Sequence, residues 1–444
     1  MSGQQAVQLC RVLTLWDLIF YGIVIIQPTA PMPVFGVVSQ VARGHVVTAV
    51  QVAMVAMLFT AISYGRMARA YPSAGSAYSY VSNALHPALG YVAGWSITLD
   101  YLMNPIICTI WCSKAVQNFL PEAPYVLLAV SFAVLFTMLN LRGIETSARF
   151  NKALTLSLCV VVALFLVYAA RYIFGHQPAG VKGWLMPFYD PKSFSISALS
   201  RGSAIAVLTY IGFDSVSTLS EEVKDPGRNV LLATVLTCLI TGVLASIEVY
   251  SAQLVWPDYQ HYPDVDTAFV HVAARAGGRA LFTLMNFALL FATIGSGFAS
   301  QLAAARLMFG MGRENALPQR FFGVLDPVRR IPRNNVLLTG ALILIGALTV
   351  SYAQGAEMLN FGAFIAFMGV NASAFALYCV QRNQRTWKDW LPPVAGFLVC
   401  LYIWLNLSPL AKTAGGIWLA AGVTLAIARG KLMRREPAAQ ESSD

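Results

Sequence analysis

Apolar residues along this chain come in long uninterrupted runs, with polar residues confined to short segments between them. Runs of about 20 apolar residues have the length of membrane-spanning helices. They predict spans near 14–42, 45–68, 87–117, 123–141, 151–173, 197–222, 229–256, 279–311, 335–353, 357–381, 391–408 and 413–429. The longer runs exceed the bilayer thickness, which a helix accommodates by tilting or by continuing into the interface. Two longer connections remain, near 174–196 and 256–278. The second contains "WPDYQHYPDVD", a mixture of Pro, Asp and aromatic residues expected of an ordered interfacial loop. Residues 1–430 read as one membrane domain, and the polar tail 431–444 reads as disordered.

Composition changes this picture little and confirms its class. Of the 444 residues 57% are hydrophobic and 11% charged, with mean hydropathy +0.63; soluble domains carry about 25% charged residues. The chain is read as an all-α polytopic membrane protein of twelve transmembrane helices. If the N-terminus is cytoplasmic, 21 of the 30 basic residues fall on the cytoplasmic side and 9 on the other. That bias places both termini in the cytoplasm and the protein in the cell inner membrane. It also accounts for the net charge of +10, so membrane lipid is an expected partner and nucleic acid is not. The head "MSGQQAVQLCRVLTLW" lacks the pattern of a cleavable signal peptide.

Two spans are interrupted. Span 1 contains "GIVIIQPTAPMPVFGVVSQV", with Pro28, Pro31 and Pro33 in its centre, and span 6 contains "LTYIGFDSVSTLSEEV", with Gly212 and Asp214 in mid-membrane. Each proline removes a backbone hydrogen bond and clashes with the preceding turn. Proline and glycine are common in membrane helices, but three prolines in one turn and a half go beyond a kink. Interrupted helices at corresponding places in two halves of a chain point to a secondary transporter with its site at the midplane between them. Backbone groups freed there line a cavity.

Ionisable residues inside spans are few. Asp100 lies midway along span 3 and Asp214 at the break in span 6. A charge at the bilayer centre costs at least about 2.5–3.5 kcal/mol on insertion scales, so such a residue usually faces a cavity. Its natural partner is an organic cation or a proton; for Asp214, capping of the restarted helix is the alternative. Tyr101, Tyr210 and Phe213 stand near the breaks, where aromatic faces can hold an ammonium or cover it. Gln27 and Thr29 lie in the span 1 break itself. Glu357 is placed at the outer start of span 10, and Glu248 lies in span 7 with no evident partner. Cys108 and Cys112 share a helical face, but two thiols are too few ligands for zinc. The five histidines all fall at span ends or in connections, and there is neither HExxH nor a Walker A sequence. No cofactor, metal site or enzymatic activity is expected.

Several long motifs, in order, carry a family resemblance: "LFTAISYGRMARAYPSAGSAYSYVSNALHPALGYVAGWSITLDYL" (58–102), "GFDSVSTLSEEVKDPGRNV" (212–230), "ARLMFGMGRENALPQRFFGVLDPVRRIPRNN" (305–335) and "LNFGAFIAFMGVN" (359–371). From about residue 11 to 430 the chain resembles the amino acid–polyamine–organocation superfamily, and within it the bacterial putrescine importers. The resemblance implies a LeuT-like five-plus-five inverted repeat, with repeats at about 14–173 and 197–381 and peripheral helices at 391–429. It also implies broken helices 1 and 6 at the substrate and uptake driven by an ion gradient, usually H+. Amino acid carriers of the superfamily hold the substrate carboxylate on amides of a glycine-rich break in span 1; here three prolines supply none. Putrescine importers carry an Asp a few residues before "FG" in span 1, where this chain has Pro33. Several proton-coupled members use a Lys in span 5, where the nearest here is Lys152, at the cytoplasmic edge. Ser296 and Ser300 on span 8 are placed to line a cation site or to allow close packing.

The expectation is therefore a secondary active transporter importing a small organic amine, a putrescine-like polyamine or a monoamine, by alternating access. Gln27, Thr29, Asp100, Tyr101, Tyr210, Phe213 and Asp214 are its substrate-binding candidates. The alternative is a proton-coupled permease for neutral or cationic amino acids. A cation channel is the rival of another class, which flux without saturation or coupling would reveal.

Overall fold

The computed structural model describes residues 13–71, 76–142, 148–176, 180–220, 223–313, 317–327, 329, 331–384 and 386–428. Cys10, Glu221, Glu222 and the tail 431–444 lie outside the described residues. Among those residues the regular structure is helical, apart from one isolated parallel bridge between Leu13 and Val223.

Helix α1 (Leu15–Ile26) starts from a capping box: the Asp17 amide donates to the Thr14 hydroxyl and the Thr14 amide to the Asp17 carboxylate. It stops at Gln27, and helix resumes as α2 (Phe35–Val41). Then follow α3 (Val46–Ala70), α4 (Ser76–Ala84), α5 (Pro87–Gln117), α6 (Tyr125–Leu141), α7 (Ala148–Gly175) and the short α8 (Gly180–Leu185). The second interrupted element is α9 (Ile196–Ala206), which tightens into a 3₁₀ turn over Val207–Thr209, followed by α10 (Ser215–Thr218). The chain continues through α11 (Pro226–Val255), α12 (Ala268–Arg313), α13 (Gln319–Phe322), α14 (Arg333–Thr349), α15 (Tyr352–Phe375), α16 (Trp387–Leu405) and α17 (Pro409–Ala428). A π-helical turn over Ala376–Gln381 extends α15.

Each predicted run coincides with a helix or, for the two interrupted spans, with a pair. Helices α4 and α8 were not expected, because neither carries an apolar run long enough to register. The connection at 256–278 is also partly helical: its last residues belong to α12, and Gly278, at φ 72° and ψ −166°, separates them from the rest. Only glycine adopts that conformation without strain.

Helices α3, α7, α11, α12, α17 and the extended α15 are long and apolar enough to cross a membrane, with α1, α6, α9 and α14 as shorter apolar helices. Large apolar side chains stand exposed along α7 (Leu156, Val160, Val167), α11 (Val243, Ile247) and α14 (Ile345). So much apolar surface is the signature of a face turned to lipid. The protein is a multi-pass membrane protein.

Helix α5 packs against both α12 and α15, and α3 packs against α11. Close approach is local and specific. Gly362 on α15 lies where a Cβ would collide with the Ser96 carbonyl of α5. On the outside of α5, Trp95 and Trp418 of α17 stack with centroids 4.7 Å apart. Each indole donates to the other's carbonyl, at 2.8 and 3.1 Å.

Below, the proximal side is that on which α1 begins, and the distal side is opposite. The proximal ends of both interrupted elements are joined: the Lys224 amide donates to the Leu13 carbonyl at 2.9 Å.

Candidate functional site

The first break owes its shape to its prolines. Gln27 takes φ 68°, uncommon for a residue with a Cβ, and its amide donates back to Ile23 at 2.9 Å to close α1. The Ala30 amide donates to Gln27 at 3.1 Å and the Met32 amide to Thr29 at 3.0 Å. Pro28, Pro31 and Pro33 have no N–H, so the amides of Gln27, Ala30 and Met32 are spent on the chain's own turns. At the second break Gly212 adopts φ 116°, and a Cβ there would stand 2.8 Å from Ile25 at the end of α1. The two breaks therefore adjoin.

Between them lies a cavity of about 250 Å³. The breaks contribute Gln27, Pro33, Gly212, Asp214 and Ser215, and α5 contributes Asp100, Tyr101, Asn104 and Trp111. Helix α12 adds Thr293, Ser296 and Ser300, and α15 adds Tyr352 and Phe367. Its lining includes two carboxylates and, among the described residues, no Lys, Arg or His. Asp100 and Asp214 are within electrostatic reach of each other. Asp214 precedes α10 without a capping bond from its side chain, while the Gly212 and Ser215 amides lie against its carboxylate. One turn along α5 from Asp100, the Asn104 amide donates to Ser300 at 2.6 Å and to Ser296 at 3.2 Å. Its donor is thus committed, while its carbonyl oxygen accepts from the Cys108 thiol at 3.9 Å and keeps a second lone pair. Asp100 and Asp214 give the cavity wall the acceptors that an ammonium requires.

Four of the seven sequence-selected residues line this space: Gln27, Asp100, Tyr101 and Asp214. Thr29, Tyr210 and Phe213 are buried behind it. Tyr210 donates its hydroxyl to the Val50 carbonyl at 2.8 Å and fastens the second break to α3. Phe213 packs with Tyr64 at 5.6 Å and Phe367 at 5.6 Å. Of that group only Phe367 reaches the cavity. Asn104 was not selected, although its spacing of four from Asp100 puts both on one helical face. Tyr352, Trp111 and Phe367 come from spans with no break to mark them.

Aromatic residues stand at both ends. Proximally, Tyr64, Tyr80, Phe213 and Phe367 form one buried cluster with ring centroids 5.6–6.0 Å apart. Distally, Trp111 and Tyr352 are buried, and above them Lys114 of α5 pairs with Asp264 of the connecting loop at 3.2 Å. Asp264 also accepts from the Asp266 and Thr267 amides. Burial, together with the Asp264 charge, pushes the Asp266 carboxyl up to about 6, opposed by Lys114. Glu357 is buried at the distal start of α15, accepting from the Ser408 amide at 3.1 Å and pairing with Arg201 at 3.6 Å.

Comparison with known proteins agrees with this architecture. The amino acid permease family profile matches residues 32–427. The chain is 34% identical over 425 residues to the low-affinity putrescine importer PlaP of Escherichia coli strain K12, covering 94% of this chain and 93% of the relative. It is 27% identical over 469 residues to the branched-chain amino acid permease BcaP of Lactococcus lactis, covering 96% of each. With the vacuolar cationic amino acid transporter 4 of Arabidopsis thaliana it shares 28% identity over 406 residues, 85% of this chain and 64% of the relative.

Proposed function

We propose that this chain, which belongs to the amino acid permease family and is a transporter of amines or amino acids rather than an enzyme, imports a small organic amine of the putrescine type. The observation that carries the reading is the cavity between the breaks, with Asp100 and Asp214 on its wall and no basic side chain. An α-amino acid would bring a carboxylate into that space beside two carboxylates. An amine brings only the charge that the site lacks. The chain's similarity to a putrescine importer supports the same substrate class.

In the mechanism we favour, one ammonium of the diamine sits against Asp100 and the Asn104 carbonyl and the other against Asp214, with Tyr101 and Phe367 along the alkyl body. Phe213 and Tyr210 act from behind, supporting the site without touching substrate, and Thr29 holds the turn of the first break. The architecture behind this is a twelve-span, five-plus-five inverted repeat. Residues 14–173 and 197–381 form the two repeats, 391–429 are peripheral, and both termini are cytoplasmic. Rocking of the repeats would expose the site to either side, and the proton gradient would drive accumulation.

The test is ligand-induced stabilisation of the purified protein, comparing amines with their parent amino acids, putrescine with ornithine first. A ligand that binds the folded state raises the unfolding midpoint. Putrescine should raise it, ornithine should not, and Asp214→Asn should remove the shift. Stabilisation by ornithine alone would instead favour the amino acid permease reading, which similarity to the branched-chain permease also keeps open.

A further inference from the structure

One intramembrane carboxyl takes no part in that cavity. Glu248 on α11 has no exposed surface, and neither of its oxygens has a hydrogen-bond partner. The other interior acids differ: Asp100 and Asp214 face the cavity, and Glu357 has both an amide and an arginine. No charged or titratable group of α1, α3, α10 or α12 acts on Glu248 among the described residues. From α7, only the Cys159 thiol comes within electrostatic reach.

Its position along α11 is informative. Thr237 of α11 meets Gly22 of α1. Glu248 follows eleven residues later, three turns on, and therefore projects from nearly the same face. A rise of about 16 Å along that face passes the level at which α1 stops, because only Ile23–Ile26 follow Gly22 in that helix. Glu248 thus stands on the face of α11 that Thr237 turns to α1, toward Cys159 of α7 and past the end of α1.

An unpaired carboxylate removed from water costs several kcal/mol even after relaxation. Among the described residues nothing at Glu248 offsets that cost. Any rearrangement that admits water or a donor to this face would allow it to ionise. We infer that Glu248 is the group that carries the coupled proton: protonated while the site is closed, it gives its proton up when the first break moves and its carboxyl meets water. No redox or covalent step is involved; one carboxyl loses and regains one proton per cycle. This inference rests on the transport reading above and names the residue that couples it to the gradient.

The experiment uses the full chain in proteoliposomes and radiolabelled putrescine, with two readouts. One is accumulation driven by a pH gradient with the membrane potential clamped; the other is putrescine–putrescine counterflow at equal pH. One pH unit sustains about a tenfold accumulation per proton carried. Glu248→Gln, which cannot ionise, should lose that drive while still showing counterflow, and Glu248→Asp should recover part of it. Gradient-driven accumulation by Glu248→Gln at the level of the unaltered protein overturns the inference. Should Glu248→Gln not fold, a Glu248→Asp protein whose driven uptake keeps an unaltered pH profile overturns it equally. Counterflow without driven uptake in the unaltered protein would overturn proton coupling yet leave the transport reading standing. Absence of both would refute transport of putrescine itself.

Discussion

Replacing Asp100 by Asn tests whether the two cavity carboxylates hold two charges or one. At an effective dielectric of about 20, an ammonium 4 Å from a carboxylate gains about 4 kcal/mol. The amide keeps a neutral hydrogen bond worth about 1 kcal/mol, so the substitution should cost roughly 2–3 kcal/mol, or about 30- to 150-fold in affinity. The informative form is a cycle between protein and ligand. Asp100 and Asp214 act on each other across the cavity, and a diamine can satisfy both where 1-aminobutane satisfies one. If 1-aminobutane seats at Asp214, Asp100→Asn weakens putrescine by the full factor and 1-aminobutane hardly at all. Titration calorimetry on purified protein, with both ligands and both variants, yields the coupling energy directly. A coupling below about 0.5 kcal/mol, with both ligands weakened alike, would refute the assignment of one ammonium to each carboxylate.

Other positions make independent predictions. Gly212→Ala forces a Cβ onto φ 116° and against Ile25; it should cost about 1–3 kcal/mol and weaken putrescine binding, seen as a lower midpoint and a smaller ligand shift. Trp418→Ala removes the stacked indole and the hydrogen bond it donates to the Trp95 carbonyl, while keeping the main-chain carbonyl that accepts from Trp95. Trp95 is buried and Trp418 half-buried, so the expected loss is about 2–3 kcal/mol, somewhat below that of a fully buried Trp→Ala change, measured by denaturant unfolding in detergent. Asp266 titrates at about 6 when folded against a usual 3.8. Its contribution to stability is therefore fully present below pH 3.8 and lost as pH rises through about 6. Asp266→Asn should flatten the fall in midpoint across that window; an unchanged slope would show that another group is responsible.

How much of this was legible in the sequence follows from what each signal reports. Prolines and glycine mark where a helix must stop, because the backbone bond they remove is local, and both breaks lie where Pro28 and Gly212 put them. Apolar run length likewise marks the spans. The facing of residues next to a break is a different quantity. Thr29, Tyr210 and Phe213 adjoin the interruptions yet point away from the cavity, because the rotation of a turn is set by what it packs on: Val50 for Tyr210, Tyr64 and Phe367 for Phe213. On an unbroken helix facing is readable, and Asn104 could have been taken with Asp100 by spacing alone. Contributions from α12 and α15 depend on helix packing far apart in the chain, which no local pattern encodes.

Unlike forces hold the contacts beyond the two ends of the cavity. The proximal cluster of Tyr64, Tyr80, Phe213 and Phe367 is hydrophobic contact, which weakens on cooling and is indifferent to moderate salt. The distal pair of Lys114 and Asp264 is partly exposed, at 33% and 27%, and mobile ions screen it. Ionic strength and temperature are thus separate controls on the two contacts: salt loosens the distal one, and cold loosens the proximal one. If the protein works by the alternating access proposed above, its resting orientation would be set by the medium on each side as well as by its substrate.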